Sequence, residues 1–420
     1  MRVEEVVGWI NAKRRLGGII FLEIIPGTSL KPLTIVVKRR DNEELWKAAK
    51  SLKLGSAIKV RGERVKEGMS RRGEEFKATK LLEAGSPLEP LPVDPLLKTN
   101  VSLDTSIKYR YVMLRNPKIR AIFRLRSLLL RTAREYLEEE GFLEVNTPKL
   151  CGAGAEGGAE LFELNYFGRR AYLAQSPQLY KQMLMAGIPK VYEITPYFRA
   201  EKHHTVRHLN ESWGIDIEMG FISGMNDVMN LLEGLVAYII EGLRSKGKEE
   251  LRSLGIELEV PPTPFRRVTY DEALKLLKDE GVTLKWGEDL SHEAERKLGE
   301  IMSERGYQVY FITGYPWEAK PFYIMRAKGG LSMSFDLDYS GLEVASGGQR
   351  EHRLDELIRN MREKGLDLKE FEFYLEAFKY GIPPHGGFGL GVERLLMSLL
   401  KLNNVREAIL FPRDIQRLIP

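Results

Sequence analysis

Phe198-Arg199-Ala200-Glu201, followed by Arg207-His208 and then Asp216-Ile217-Glu218, gathers two arginines and several carboxylates in one short stretch. Arginine carries a permanent charge and a planar fork of donors that matches phosphate, so two of them on one hairpin suit a polyphosphate ligand. A salt-bridged surface hairpin would present the same residues, because exposed ion pairs are common and contribute little. A second constellation lies toward the C-terminus, in Gly386-Gly387-Phe388-Gly389-Leu390-Gly391-Val392-Glu393-Arg394. There a glycine-rich strand runs into an apolar helix with Arg394 near its start, where the helix dipole favours anions, and the glycines permit a ligand to approach the backbone closely. The segment is neither a Walker A loop nor a dinucleotide fingerprint, since the third glycine is missing and no βαβ unit surrounds it. Alone, such a turn serves packing as readily as nucleotide binding.

The elements that must position these residues are readable from periodicity. Val191-Tyr192-Glu193-Ile194 on one side, and Ile215 and Ile217 on the other, make the arginine segment a strand, loop and strand. Apolar residues at 122, 125, 129, 133 and 137 recur at helical spacing and predict an amphipathic helix over 119–140. A helix-rich region is expected over roughly 225–310. Five short alternating segments precede all of this: Val6 to Ile10, Gly18 to Ile25, Leu33 to Lys38, Ala57 to Arg64 and Phe76 to Leu82. A helical patch, Asn42 to Leu52, follows the third, and the pattern matches a small OB-type barrel, a frequent binder of single-stranded nucleic acid. In such a barrel the basic run Lys13-Arg14-Arg15 would contact phosphate and Phe21 would stack a base; a solvated charge run and a core phenylalanine are the plainer alternative. Four prolines between Gly85 and Pro95 cannot continue a helix or a central strand. The expected division is therefore a barrel over 1–85, a linker over 86–115 and a larger domain over 116–420.

Composition excludes several classes. At 420 residues and 43% hydrophobic the chain can bury cores in two or three domains. A net charge of +5 with charges of both signs interspersed permits a nucleic-acid partner without requiring one. Cys151 is the only cysteine, which rules out an internal disulfide and a cysteine-based zinc site and suits a reducing cytoplasm. No apolar run approaches the length of a membrane span, and Met1-Arg2-Val3-Glu4-Glu5 does not begin like a signal peptide, so no membrane association is expected. His203-His204 is no metal pair, because adjacent strand residues face opposite ways.

Taken together, the arginine hairpin and the glycine turn resemble motifs 2 and 3 of the class II aminoacyl-tRNA synthetases. Gly141-Phe142-Leu143-Glu144-Val145-Asn146-Thr147-Pro148 resembles motif 1, which lies at the dimer interface in that family. Within the family, Gln175-Ser176-Pro177-Gln178-Leu179-Tyr180-Lys181 resembles the amino-acid pocket of aspartyl-tRNA synthetases; asparaginyl relatives typically carry an apolar residue at the lysine position. Tyr315 to Tyr323, Ser334 to Tyr339 and Glu343 to His352 resemble the archaeal and eukaryotic type, and the short Lys379 to His385 segment lacks the large bacterial insertion. The similarity covers nearly all of 100–420 and is weaker over the barrel.

The resemblance implies an α/β fold of the α+β type, with an OB-fold barrel and a catalytic domain built on an antiparallel sheet flanked by helices. It implies a homodimer that uses ATP, Mg2+, L-aspartate and tRNA. Arg199 would bridge the aspartate carboxylate and the α-phosphate, Glu201 would contact adenine, Arg207 would hold the terminal phosphate, and Arg394 would stack on adenine and touch phosphate. Asp336, Glu343 and Ser346 would hold magnesium, with Glu343 also at the nucleotide and Ser346 at the amino acid. Lys181 and Arg350 would face the aspartate side chain beside Ser176 and Gln178, Asp216 would take the α-ammonium, and Glu156 would sit in a loop that closes over the amino acid.

Two departures stand out. Ser212-Trp213 follows Glu211 where the family often has phenylalanine, so His208, with Trp213 in reserve, is expected as the second adenine-stacking face. The barrel lacks the Arg-Asp pair common in relatives, and Thr34 stands where an anticodon-reading glutamine would fall, which implies looser base reading and charging of asparagine tRNA as well. The rival readings are an asparaginyl-tRNA synthetase, opposed by Lys181; a non-catalytic tRNA-binding or regulatory derivative, opposed by the intact Arg199, Glu343 and Arg394; and a related asparagine synthetase, which needs no barrel.

Overall fold

The computed structural model describes residues 3–65, 74–97, 100–152, 160–202, 205–288 and 290–420. The chain divides into two compact units, residues 1–125 with 247–257, and 126–246 with 258–420.

In the first unit, five strands close into a barrel in the order β1-β2-β3-β5-β4, with β1 Val3–Leu16, β2 Ile19–Pro26, β3 Leu33–Lys38, β4 Ala57–Val65 and β5 Glu74–Gly85. Alternation drives this closure: Ile20, Leu22 and Ile24 of β2 and Leu33, Ile35 and Val37 of β3 all point into one core with Phe76. The helix Glu43–Ser51 follows β3, is capped by Asn42, whose side chain accepts from Leu45 N at 2.9 Å, and buries Leu45, Trp46 and Ala49 in the same core. The proline-rich stretch expected as a linker packs within this unit, with Val93 in a small cluster with Val112 and Met113.

The second unit is built on an eight-stranded sheet in the order β12-β13-β14-β15-β16-β11-β10-β6. Its strands are β6 Leu143–Glu144, β10 Lys190–Phe198, β11 Glu211–Gly220, β12 Arg266–Thr269, β13 Val309–Thr313, β14 Ser334–Tyr339, β15 Glu343–Gln349 and β16 His385–Gly391. The six inner strands pair antiparallel, as expected, while β6 and β12 join the two edges in parallel. Leu150–Cys151, Glu163–Tyr166 and Arg169–Leu173 (β7, β8 and β9) form a separate small sheet. The helix Pro117–Glu139 opens with proline, and the apolar positions read from the sequence, Ile122, Leu125, Leu129, Ala133 and Leu137, are all buried.

Register sets the functional face. Glu193, Asp216, Gly389, Ser346 and Asp336 pair directly across five neighbouring strands. Directly opposed residues share a face of the sheet, so these side chains line one row. Gly389, at the centre of the row, has no side chain and leaves a groove there.

Candidate active site

A cavity of about 540 Å³ lies over this row in the second unit. At one end it is lined by Arg199, Glu201, Arg207, His208, Trp213 and Arg394, at the other by Ser176, Gln178, Asp216 and Arg350, with Asp336, Glu343 and Ser346 along its wall. The two constellations that are nearly 200 residues apart in sequence thus meet in one chamber.

Arg199 leaves the end of β10 and its Nη1 lies 3.8 Å from Glu201 Oε1. Arg207 Nη1 is paired with Glu295 Oε2 at 2.6 Å, a carboxylate that nothing in the local sequence singled out. His208 Nδ1 is 2.5 Å from Thr205 Oγ1. Arg394 stands in the first turn of the helix Val392–Leu400 and its Nη1 donates to Glu343 O at 3.1 Å. Beneath it, Glu393 accepts from Arg126 at 2.6 Å and from Trp213 N at 2.8 Å, which fixes the entry to that helix and the Trp213 backbone together.

The end lined by Gln178 and Arg350 is tighter. Gln178, Lys181 and Gln182 fall on one face of the helix Gln178–Leu184 because their spacing is i, i+3 and i+4. Lys181 does not line the cavity. It is 2% exposed, and its Nζ donates to Asp216 Oδ1 at 2.9 Å, Ile217 O at 3.1 Å and Phe388 O at 3.3 Å, with Glu218 Oε2 at 3.3 Å. Its charge is answered from within the protein, because β11 places Asp216 and Glu218 two residues apart on the face that the helix covers. Asp216 Oδ2 accepts from Tyr197 OH. Arg350 Nε donates to Glu218 Oε1 at 3.2 Å, and Nη2 donates to Gln178 Oε1 at 3.2 Å and Gly387 O at 2.9 Å. Those two cations hold the wholly buried Glu218 carboxyl below its usual range despite burial, which opposes them.

Two glycines of the sheet, Gly387 and Gly214, serve packing. A Cβ on Gly387 would meet Glu218 Oε2 at 2.4 Å, and one on Gly214 of β11 would meet Tyr197 Oη at 1.8 Å. Those two make room for neighbouring protein atoms, while Gly389 and Gly391 line the cavity itself.

Acidic groups crowd the wall between the two ends. Lys320 Nζ donates to Asp336 Oδ2 at 2.9 Å. Asp336 is 8% exposed, and its Oδ1 has no hydrogen-bond partner among the described residues. Burial and then the Asp336 charge raise the Glu343 carboxyl. Two carboxylates that repel, one with an orphaned oxygen, together with the exposed Ser346 hydroxyl, fit a hard divalent cation. Deeper in β14, burial and then Glu295 push Asp338 up to about 8, although its Oδ1 accepts from Gly341 N at 2.7 Å. A raised acid keeps its proton in the folded chain while the unfolded chain releases it. Its stabilising effect is complete below pH about 4 and drains away as pH rises to about 8, at roughly 1.4 kcal/mol per unit. Asp338→Asn should therefore match the parent protein in melting temperature at pH 4 or below and exceed it by several degrees at pH 8.5 in a chelator. Parallel curves for the two proteins would show that Asp338 ionises normally.

Elsewhere the expected residues separate. Glu156 and the His203-His204 pair lie outside the described residues. Glu160 accepts, through its backbone oxygen, from Ala200 N at 2.8 Å, and through Oε2 from Lys202 N at 3.1 Å. In the first unit, Arg14 lies over the half-buried Phe21 ring at 5.7 Å, with Arg14 paired to Phe21 across β1 and β2. Arg15 lies over Trp46 at 5.0 Å. Thr34 is only 3% exposed, so the expectation that it reads a base is corrected: its hydroxyl is not presented at the surface. Glu218, Tyr197, Lys320 and Glu295 were not singled out as site residues. Only Glu218 carried a signal, its alternation with Asp216 on one strand.

An antiparallel sheet with arginines from two distant motifs over a nucleotide-sized cavity defines a class II aminoacyl-tRNA ligase. A family model described as tRNA synthetases class II (D, K and N) matches residues 102–415, and the chain belongs to that family. It is 49% identical to aspartate–tRNA(Asp) ligase of Pyrococcus horikoshii over 420 residues, covering 99% of this chain and 96% of that protein. It is 48% identical to aspartate–tRNA(Asp/Asn) ligase of Methanopyrus kandleri, with the same coverage of both. Among solved structures it resembles asparaginyl-tRNA synthetase from Pyrococcus horikoshii complexed with asparaginyl-adenylate, with a TM-score of 0.90 and 36% identity, covering 100% of this chain and 96% of that one.

Proposed function

We propose that this chain is an aspartyl-tRNA synthetase that condenses L-aspartate with ATP to aspartyl-adenylate and transfers the aspartyl group to tRNA. The observation that carries the reading is the pair of buried cations, Arg350 on the cavity wall and Lys181 behind it against Asp216, which does line the cavity. Relatives of both tRNA specificities support aspartate as the amino acid. In the reaction, the aspartate α-carboxylate attacks the ATP α-phosphorus and pyrophosphate leaves in line. Arg199 spans the two reacting anions, Arg207 takes the terminal phosphate, Arg394 and His208 enclose adenine, with Trp213 nearby, and Glu201 contacts its edge. Asp216 holds the α-ammonium, and Ser176, Gln178 and Glu156 complete the amino-acid site. Asp336, Glu343 and Ser346 would hold Mg2+, which supplies neutralising charge to the phosphate oxygens.

Further parts of the reading rest on separate observations. Exposed Leu143 and Leu150, in and beside the motif 1 segment, support a homodimer. No helix among the described residues is long and apolar enough to cross a membrane, and with one cysteine the composition supports a cytoplasmic enzyme. Residues 1–85 serve as the anticodon-binding domain, with Arg14 and Arg15 on phosphate and Phe21 under a base. The reading is tested by pyrophosphate exchange with aspartate and with asparagine, followed by charging of both tRNAs. Exchange with asparagine alone would transfer the chain to the asparaginyl group. Phe21→Ala should leave exchange untouched and weaken charging by roughly ten- to a hundredfold in kcat/KM for tRNA, since a stacked base contributes about 1–3 kcal/mol. Equal charging by the variant would remove Phe21 from the tRNA surface. We further propose that both the aspartate and the asparagine tRNA are accepted; a strong preference for the aspartate tRNA overturns that part alone.

A further inference from the structure

Behind the cavity floor, a chain of side-chain hydrogen bonds leaves Arg350 and ends on the Pro383 backbone. Arg350 Nη2 donates to Gln178 Oε1 at 3.2 Å, and Gln178 Nε2 donates to Gln182 Oε1 at 2.9 Å. Gln182 Nε2 donates to His385 Nε2 at 3.0 Å, and His385 Nδ1 donates to Pro383 O at 2.9 Å. Tyr374 OH also donates to Gln182 Oε1, at 3.2 Å. The polarity of this chain is forced from both ends. A guanidinium only donates, so Gln178 must turn its carbonyl to Arg350; a peptide carbonyl only accepts, so His385 must carry its proton on Nδ1. Between those ends each amide has one orientation that satisfies both neighbours. A proton on His385 Nε2 would reverse Gln182 and set its NH2 against that of Gln178. If Gln178 reversed too, its NH2 would face Arg350.

The surroundings hold the required form. Gln182 and His385 are wholly buried, and burial pushes His385 down to about 4, against the opposing pull of Glu218. The guanidinium is clamped from two sides, by Glu218 on Nε and by this chain on Nη2. We propose that Gln182 and His385, which do not line the cavity, are positioning residues that fix the Gln178 amide and thereby aim Arg350 at the side chain of the amino-acid substrate. The inference rests on the aspartate reading for the identity of that side chain.

The test is pyrophosphate exchange on the full-length protein, using aspartate or asparagine, whichever the parent protein activates. His385→Phe keeps the ring and removes the acceptor. It should raise KM for the amino acid roughly tenfold or more while KM for ATP and kcat stay within about twofold. His385→Gln, whose amide oxygen can accept from Gln182, should recover most of the loss. Independently, a 15N spectrum of the histidine-labelled parent protein should show a buried neutral imidazole protonated on Nδ1. An unchanged amino-acid KM in His385→Phe, a parallel rise in both KM values, or a buried ring protonated on Nε2 would each overturn the proposal. Exchange with asparagine instead of aspartate would overturn the aspartate reading and leave this one measurable. If His385→Phe does not fold or no exchange occurs, the tautomer decides.

Discussion

Lys181→Leu should activate aspartate at least about a hundredfold less well than the parent protein, read as kcat/KM in pyrophosphate exchange. The ammonium is enclosed by Asp216, Glu218 and two backbone carbonyls, so leucine removes one of two cations that neutralise two buried carboxylates. Breaking a buried pair in this way costs about 3–5 kcal/mol, because it strands the remaining charge. The melting temperature should therefore fall as well, and nucleotide affinity, measured at a temperature where the variant is folded, separates the two effects. ATP binding at the far end of the cavity should survive, while aspartate activation should not. Unchanged aspartate activation would sink the assignment of Lys181.

Arg199→Ala should abolish adenylate formation, a fall of about a thousandfold or more in kcat, with no change in melting temperature. Its side chain is substantially exposed and stands 3.8 Å from Glu201, a surface ion pair of little consequence for stability. In the proposed reaction the same guanidinium would lie between two anions that must come into contact, so its loss would fall on the chemical step. A variant that still exchanges pyrophosphate at the parent rate would show that the nucleotide end has been misplaced.

Elements with strong local periodicity were legible in the sequence. The five barrel strands alternate along their own length, and the helix Pro117–Glu139 carries its apolar stripe in plain view. The motif residues were legible as chemistry, because arginine, carboxylate and glycine stand close together in each segment. Their partners were not. Glu295 meets Arg207 from 88 positions away, and Arg350 meets Glu218 across 132, so only the folded chain brings them together. Lys13-Arg14-Arg15 read as a charge run after a strand ending at Ile10. It lies within β1, which continues to Leu16 because Gly17, at φ 55°, turns the chain directly into β2. The four prolines signalled a break in regular structure correctly, but proline says nothing about packing, and Val93 is buried beside Met113.

The Lys181–Asp216 contact has a consequence for how the site chooses its guest. In this arrangement the pocket is electrically self-sufficient: two cations, Lys181 and Arg350, answer two anions, Asp216 and Glu218. In the proposed reading a substrate that engages both groups would part Lys181 from Asp216 and give each a replacement. A simple dicarboxylate satisfies the lysine and abandons the aspartate; a simple amine does the reverse. Asparagine brings the ammonium for Asp216 but only a neutral amide for Lys181. Aspartate alone among these brings both halves of the exchange, so on the proposed reading selectivity would come from having to replace a bond the protein already makes with itself.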